Sequence, residues 1–106
     1  MKDLKTTLLI ATYNWPEALD LVLQSVLNQS QLPDEVIIAD DGSTNKTKVL
    51  IDSFKTKFEI PLIHIWQKDE GFKKAHILNK AIAKASGEYI IQVDGDCIMH
   101  SHFIKD

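Results

Sequence analysis

Asp94-Gly95-Asp96 is the sharpest chemical signal in this 106-residue chain. It follows Tyr89-Ile90-Ile91-Gln92-Val93, a run that reads as a buried strand. Two carboxylates one residue apart at a strand end can converge on one hard cation and a sugar hydroxyl. Gly95 lets the backbone bend and a ligand approach closely. Alone, the same tripeptide is a solvated turn. Asp40-Asp41-Gly42-Ser43 also follows an apolar run. It reads as a turn with a helix cap at Ser43 or Thr44, and Asp41 can accept a hydrogen bond from a ligand N–H. Tyr13 can stack on a flat base, or pack over a helix start. Lys73 and Lys74 sit where one of them can face phosphate or ribose, or both can be solvated. Asn79 fits either a ligand-side role or a cap on a buried carbonyl. His100 and His102 follow the acidic triplet, but their spacing matches no zinc signature. His76 carries no clearer signal. Cys97 reads as a small buried hydrophobe.

Four apolar runs must position these groups: Thr6–Thr12, Glu35–Asp40, Leu62–Gln67 and Glu88–Asp94. Their near-continuous apolarity predicts strands covered on both faces, as in a parallel sheet. Three helical patterns lie between them. The first carries Leu19, Val22, Leu23, Val26 and Leu27 on one stripe. Asn14 with Glu17 predicts a capping box, and Pro16 fits the first turn. The second runs from about Thr44 to Lys57, with Leu50, Phe54 and Phe58 on one face. The third runs from about Phe72 to Ala85, with Ile77, Leu78, Ala81, Ile82 and Ala85 inward and Gly87 as a left-handed helix stop. The order βαβαβαβ predicts a Rossmann-like α/β/α arrangement with a mostly parallel sheet. Ligands then bind outside the carboxyl ends of the strands. Asp40, Asp41, Asp69, Asp94 and Asp96 all fall there. Five of the 15 carboxylates on one rim invite a cation or a hydrogen-bond donor, because like charges repel.

Composition narrows the functional classes. The net charge is −3, and all 12 basic residues are lysine. Mild acidity argues against a nucleic-acid partner. With no arginine there is no planar fork for bidentate phosphate recognition. A single cysteine excludes an internal disulfide framework and fits a reducing compartment. No apolar run approaches a membrane span, and the N-terminus is a poor signal peptide.

In order, Thr12-Tyr13-Asn14, Asp40-Asp41-Gly42-Ser43, Gly71-Phe72-Lys73-Lys74-Ala75 with Asn79-Lys80-Ala81-Ile82, and Gly87-Glu88-Tyr89 leading to Asp94-Gly95-Asp96 resemble a known family. The pattern looks like the amino-terminal half of a family 2 glycosyltransferase of the GT-A fold, in the flavour of bacterial chondroitin and hyaluronan polymerases. The resemblance covers about Thr6 to Asp106. It implies an inverting transferase using a nucleotide-diphosphate sugar, often a UDP-sugar, a glycan or other hydroxyl acceptor, and a divalent cation, Mn2+ or Mg2+. It implies that Thr12 and Tyr13 lie against the nucleotide, that Asp41 bonds the base ring N–H, and that Lys73 faces the nucleotide. Arg is common at the place of Lys73. Asp94 and Gly95 then lie near ribose or sugar, and Asp96 ligates metal with Asp94. Many members carry Ala-Arg-Asn in the third helix, where this chain has Ile77-Leu78-Asn79.

The family's catalytic base lies well after this motif, and the chain ends ten residues past Asp96. Residues 1–106 are therefore expected to form one donor-binding domain of a longer enzyme, inactive by itself. No residue of the chain is assigned as catalytic. The expected location is cytoplasmic, free or at the inner face of the membrane. The strand ending at Asp94 is expected to have an uncovered edge that invites self-pairing. The rival readings are a D-x-D phosphatase, a receiver module, a nucleotidyltransferase and a non-catalytic interaction module. The first two place their acidic motif after the first strand, whereas strand one here ends Thr12-Tyr13-Asn14. The third lacks its Gly-rich loop.

Overall fold

The computed structural model describes residues 5–68 and 74–94. The elements are β1 (Thr6–Thr12), α1 (Pro16–Leu27), β2 (Glu35–Asp40), α2 (Asn45–Lys55), β3 (Leu62–Trp66), α3 (Lys74–Lys84) and β4 (Tyr89–Asp94). All strand pairs are parallel, in the order β3-β2-β1-β4. The chain winds outward from β1 through β2 to β3, then returns past β1 to form β4. Right-handed crossovers in opposite directions put their helices on opposite faces. Accordingly α1 and α2 share one face and α3 covers the other. Leu8, Ile10, Val36, Ile38 and Leu62 pack with Leu19, Val22, Val26, Ile51 and Phe54. Leu9, Ile37 and Ala39 pack with Ile77 and Ala81. Both faces of β1 and β2 are thus covered, which is why these strands read as unbroken apolar runs. Among the described residues, no helix is long and apolar enough to cross a membrane.

The strand and helix boundaries follow the sequence to within a few residues, but three local expectations need correction. Asn14 does not cap α1. Trp15 holds that position without a side-chain cap bond. Asn14 instead adopts a left-handed φ of 50°, a region asparagine tolerates, and turns its side chain toward the start of α2. α2 begins at Asn45 with Thr44 at its cap, one of the two positions the sequence predicts, and Thr44 makes no side-chain cap bond. Gly87 is not left-handed; the described glycine with positive φ is Gly42, at 96°. Gly87 is required by close approach, since a Cβ there would collide with Thr7 Oγ1 and sit 2.7 Å from the Thr7 backbone nitrogen. Ile82 is 45% exposed rather than inward, because α3 presents Ile77 and Ala81 to the sheet. β4 has one neighbour among the described residues, β1, and its Tyr89 and Ile90 are exposed.

Candidate functional site

The register places the carboxyl ends of the strands side by side. Thr12 pairs with Asp40 and Asp40 with Trp66. Ala11 pairs with Asp94 across the β1–β4 crevice. That crevice is where the winding reverses, the usual ligand position in open α/β sheets.

Strand alternation separates the two consecutive aspartates. Asp40 belongs to the α1/α2 face and is 1% exposed. Its Oδ1 accepts the Ser43 N–H at 2.9 Å, and its Oδ2 accepts from His64 Nε2 at 2.8 Å. An ionised carboxylate only accepts, so His64 carries its proton on Nε2 in this pair. Asp41 turns the other way. Its N–H donates to the Thr12 carbonyl at 3.2 Å, and its Oδ1 accepts from Gln67 Nε2 at 2.7 Å. Both Asp41 and Gln67 are buried. The acidic pair is therefore divided. Asp40 organises the turn from inside, and Asp41 stands on the rim beside Thr12.

Asn14 and Ser43 lock the β1 and β2 loops together. The Asn14 N–H donates to Ser43 Oγ at 2.6 Å, and Asn14 Oδ1 accepts the Thr44 N–H at 3.1 Å. Trp66 Nε1 donates to the Ser43 carbonyl at 3.1 Å, adding β3 to the same clamp. Thr12 is buried and Tyr13 is 50% exposed next to it. Two open recesses flank the rim on the α2 side. One, of about 430 Å³, is lined by Ser43, Thr44, Asn45, Lys48, His64 and Trp66. The other, of about 540 Å³, includes Asn14, Glu17 and Lys46. Neither is lined by Thr12, Tyr13 or Asp41.

Of the expected site residues, the structure ties Thr12 to Asp41, with Tyr13 next in the chain, and sets the end of β4 at Asp94 beside β1. Lys73, Gly95 and Asp96 lie outside the described residues, as do Asp69, Cys97, His100 and His102. Asn79 is exposed on α3. Among the described residues no three His, Cys, Asp or Glu side chains gather to hold a metal. Sequence reasoning did not single out His64, Trp66 or Gln67 as partners of the site. A signal for Gln67 exists: it is the first polar residue in phase with Ile63 and Ile65, hence on the rim and on the face of Asp41.

Comparison with known proteins bears on the fold and the family. Chondroitin synthase of Pasteurella multocida is 28% identical over 96 residues, which is 90% of this chain and 10% of that protein. Poly-beta-1,6-N-acetyl-D-glucosamine synthase of Staphylococcus epidermidis is 34% identical over 91 residues, 86% of this chain and 21% of that protein. The chain thus spans about a fifth or less of the length of these relatives. S. aureus TarS residues 1–349, solved with UDP-GlcNAc, superposes with a TM-score of 0.78 at 27% identity, over 96% of this chain and 29% of that one. A mannosyltransferase from Pyrobaculum calidifontis, solved with GDP-Man and Mn2+, superposes with a TM-score of 0.78 at 26% identity, over 90% of this chain and 28% of that one. The family model described as "Glycosyl transferase family 2" matches residues 7–106, and the chain belongs to that family.

Proposed function

We propose that residues 1–106 form the donor-binding domain of an inverting glycosyltransferase that moves a sugar from a nucleotide-diphosphate sugar, a UDP-sugar, to a glycan or other hydroxyl acceptor. The observation that carries this reading is Asp41. It is a buried carboxylate on the carboxyl rim, oriented by Gln67 and tied to Thr12 beside the sheet's switch point. An acceptor fixed in that way suits the ring N–H of a base such as uracil. Half-exposed Tyr13 offers its ring to the same base. Lys73 adds positive charge toward the nucleotide, and Asp94 with Gly95 lies near ribose or sugar. The nucleotide-diphosphate sugars bound by the TarS and mannosyltransferase neighbours support the donor class.

Asp96 with Asp94 would supply the oxygen donor set that Mn2+ or Mg2+ prefers, and Asp94 ends β4 beside Ala11 of β1. Such a cation offsets the negative charge that builds on the departing diphosphate. The Mn2+ of the mannosyltransferase supports this choice. Deprotonation of the acceptor hydroxyl needs a carboxylate base on the opposite face of the sugar. No residue of this chain is assigned that role, and the domain by itself is proposed to bind donor without transfer. The net charge of −3 disfavours a nucleic-acid partner. A cytoplasmic setting, free or at the inner face of the membrane, matches the single cysteine.

Titration with UDP, with and without Mn2+, tests the reading. Saturable binding is expected, strengthened by Mn2+ by about tenfold or more and losing that gain in Asp96→Ala, on the scale of a charged ligand contact. Binding equal in the two metal conditions and in the variant would remove the metal assignment. Absence of UDP binding to the folded chain would remove the donor assignment. The exposed β4 edge is also proposed to pair between copies. Sedimentation should show weight-average mass rising with concentration, and a monomer throughout would discard that pairing.

A further inference from the structure

We infer that Gln67 is a positioning residue for nucleobase selection, acting through Asp41; this rests on the donor-binding reading above. Both residues are set by the backbone of adjacent strands. The Gln67 N–H donates to the Asp40 carbonyl at 3.1 Å, and the Asp41 N–H donates to the Thr12 carbonyl at 3.2 Å. Their side chains then meet at 2.7 Å, Nε2 to Oδ1, with both residues buried.

A carboxylate on a rim can swing about two side-chain torsions. A bond from a fixed amide to Oδ1 removes that freedom and sets the plane in which the group accepts. The carboxylate has about four lone-pair sites, and this bond takes one of them. The amide is also neutral. A lysine in its place would neutralise Asp41 and compete with a ligand donor. An apolar side chain would leave a buried carboxylate oxygen without this donor, at a cost.

The consequence is selectivity more than affinity. Uracil presents a donor at N3, which a directed carboxylate accepts. Cytosine presents a lone pair at N3, which the same carboxylate repels. Discrimination between the two depends on where the acceptor points, because hydrogen bonds weaken steeply off axis. Losing Gln67 should therefore erode the preference for UDP over CDP. A merely structural loss would weaken both nucleotides alike and leave their ratio unchanged.

The experiment is paired titration of UDP and CDP, with Mn2+, on the wild-type chain, Gln67→Ala and Gln67→Met. Methionine fills the glutamine's space without its donor, so it carries the measurement if the alanine variant unfolds. The wild-type preference for UDP is expected to be about tenfold or more, as for a charge-assisted bond gained against one opposed. It should fall by about fivefold or more in the variants, with each shown to be folded by its melting transition. An unchanged ratio in the folded variants overturns the positioning role and leaves the donor-binding reading standing. A wild-type chain without saturable UDP binding overturns that reading and this inference with it.

Discussion

Asp40→Ala is expected to lower the folding free energy by about 3 kcal/mol, because it strips one buried and one partly buried donor of their acceptor at once. The Ser43 N–H and His64 Nε2 both end on this carboxylate, which is 1% exposed. Each stranded donor costs roughly 1–3 kcal/mol, and the lower part of that range applies to His64, which also lines the open recess. For a domain of this size the loss corresponds to a fall in melting midpoint of roughly 15 °C. Asp40→Asn separates acceptor loss from charge loss. Its side-chain oxygen can still accept the Ser43 N–H, and His64 can shift its proton to Nδ1 and accept from the new amide. A cost of about 1 kcal/mol is expected for that variant. Equal costs for the two variants, measured by chemical denaturation, would show that the charge itself matters and not the acceptor count. The functional effect should follow the structural one. Ser43 also receives the Asn14 N–H and the Trp66 indole N–H, so its displacement loosens the loops that carry Tyr13 and Asp41.

This double use of one side chain explains what the sequence could and could not convey. The strands and their parallel pairing were legible because burial on both faces leaves a run such as Leu8-Leu9-Ile10-Ala11 with no polar phase. The rim was legible too, because topology alone puts residues after the strands on one edge. The partition of Asp40 from Asp41 was not. It depends on which face each residue inherits from the strand and on which residue of β3 stands opposite. His64 and Gln67 are three residues apart and therefore on opposite faces, one for each aspartate. Asn14 misled for a related reason. Its spacing to Glu17 matches a capping box, yet its left-handed backbone aims the side-chain oxygen across 30 residues at the Thr44 N–H. Local pattern proposes a cap; a loop held from two strands decides which helix receives it. Gly87 shows the same limit. A glycine after a helix signals a left-handed stop, but the actual constraint is the approach of Thr7 on β1, a contact with no local trace.

At the opposite end of the sheet, Glu35→Ala is expected to cost about 3 kcal/mol, and Glu35→Gln to cost less and to change how stability depends on pH. Glu35 is buried, and its Oε2 accepts from Thr7 Oγ1 at 2.6 Å and from the Ser86 N–H at 2.7 Å. Thr7 Oγ1 in turn accepts the Gly87 N–H at 3.0 Å. One carboxylate thereby joins β2, β1 and the turn into β4. Burial by itself would raise the Glu35 carboxyl, but the hydrogen bonds from Thr7, Ser86 and Gly87 outweigh it and hold the group below its ordinary value of 4.5. A carboxyl lowered in the folded state binds its proton more readily when unfolded. Its contribution to stability is therefore complete above the unfolded value and is lost as pH falls through the folded one. The wild-type chain should lose stability on acidification below about pH 5, while the glutamine variant, with no proton to gain there, should lose less. Asp52 is also lowered, by its hydrogen bond from Lys48, but it is unchanged between the two proteins and cancels in their difference. Urea denaturation of both proteins from pH 7 to pH 3 measures that difference directly. Convergence of the two stabilities toward the acid end locates the switch at Glu35. Parallel curves would mean that the carboxylate of Glu35 titrates alike in the folded and unfolded chain, and that the bonds from Thr7 and Ser86 do not favour its charged form.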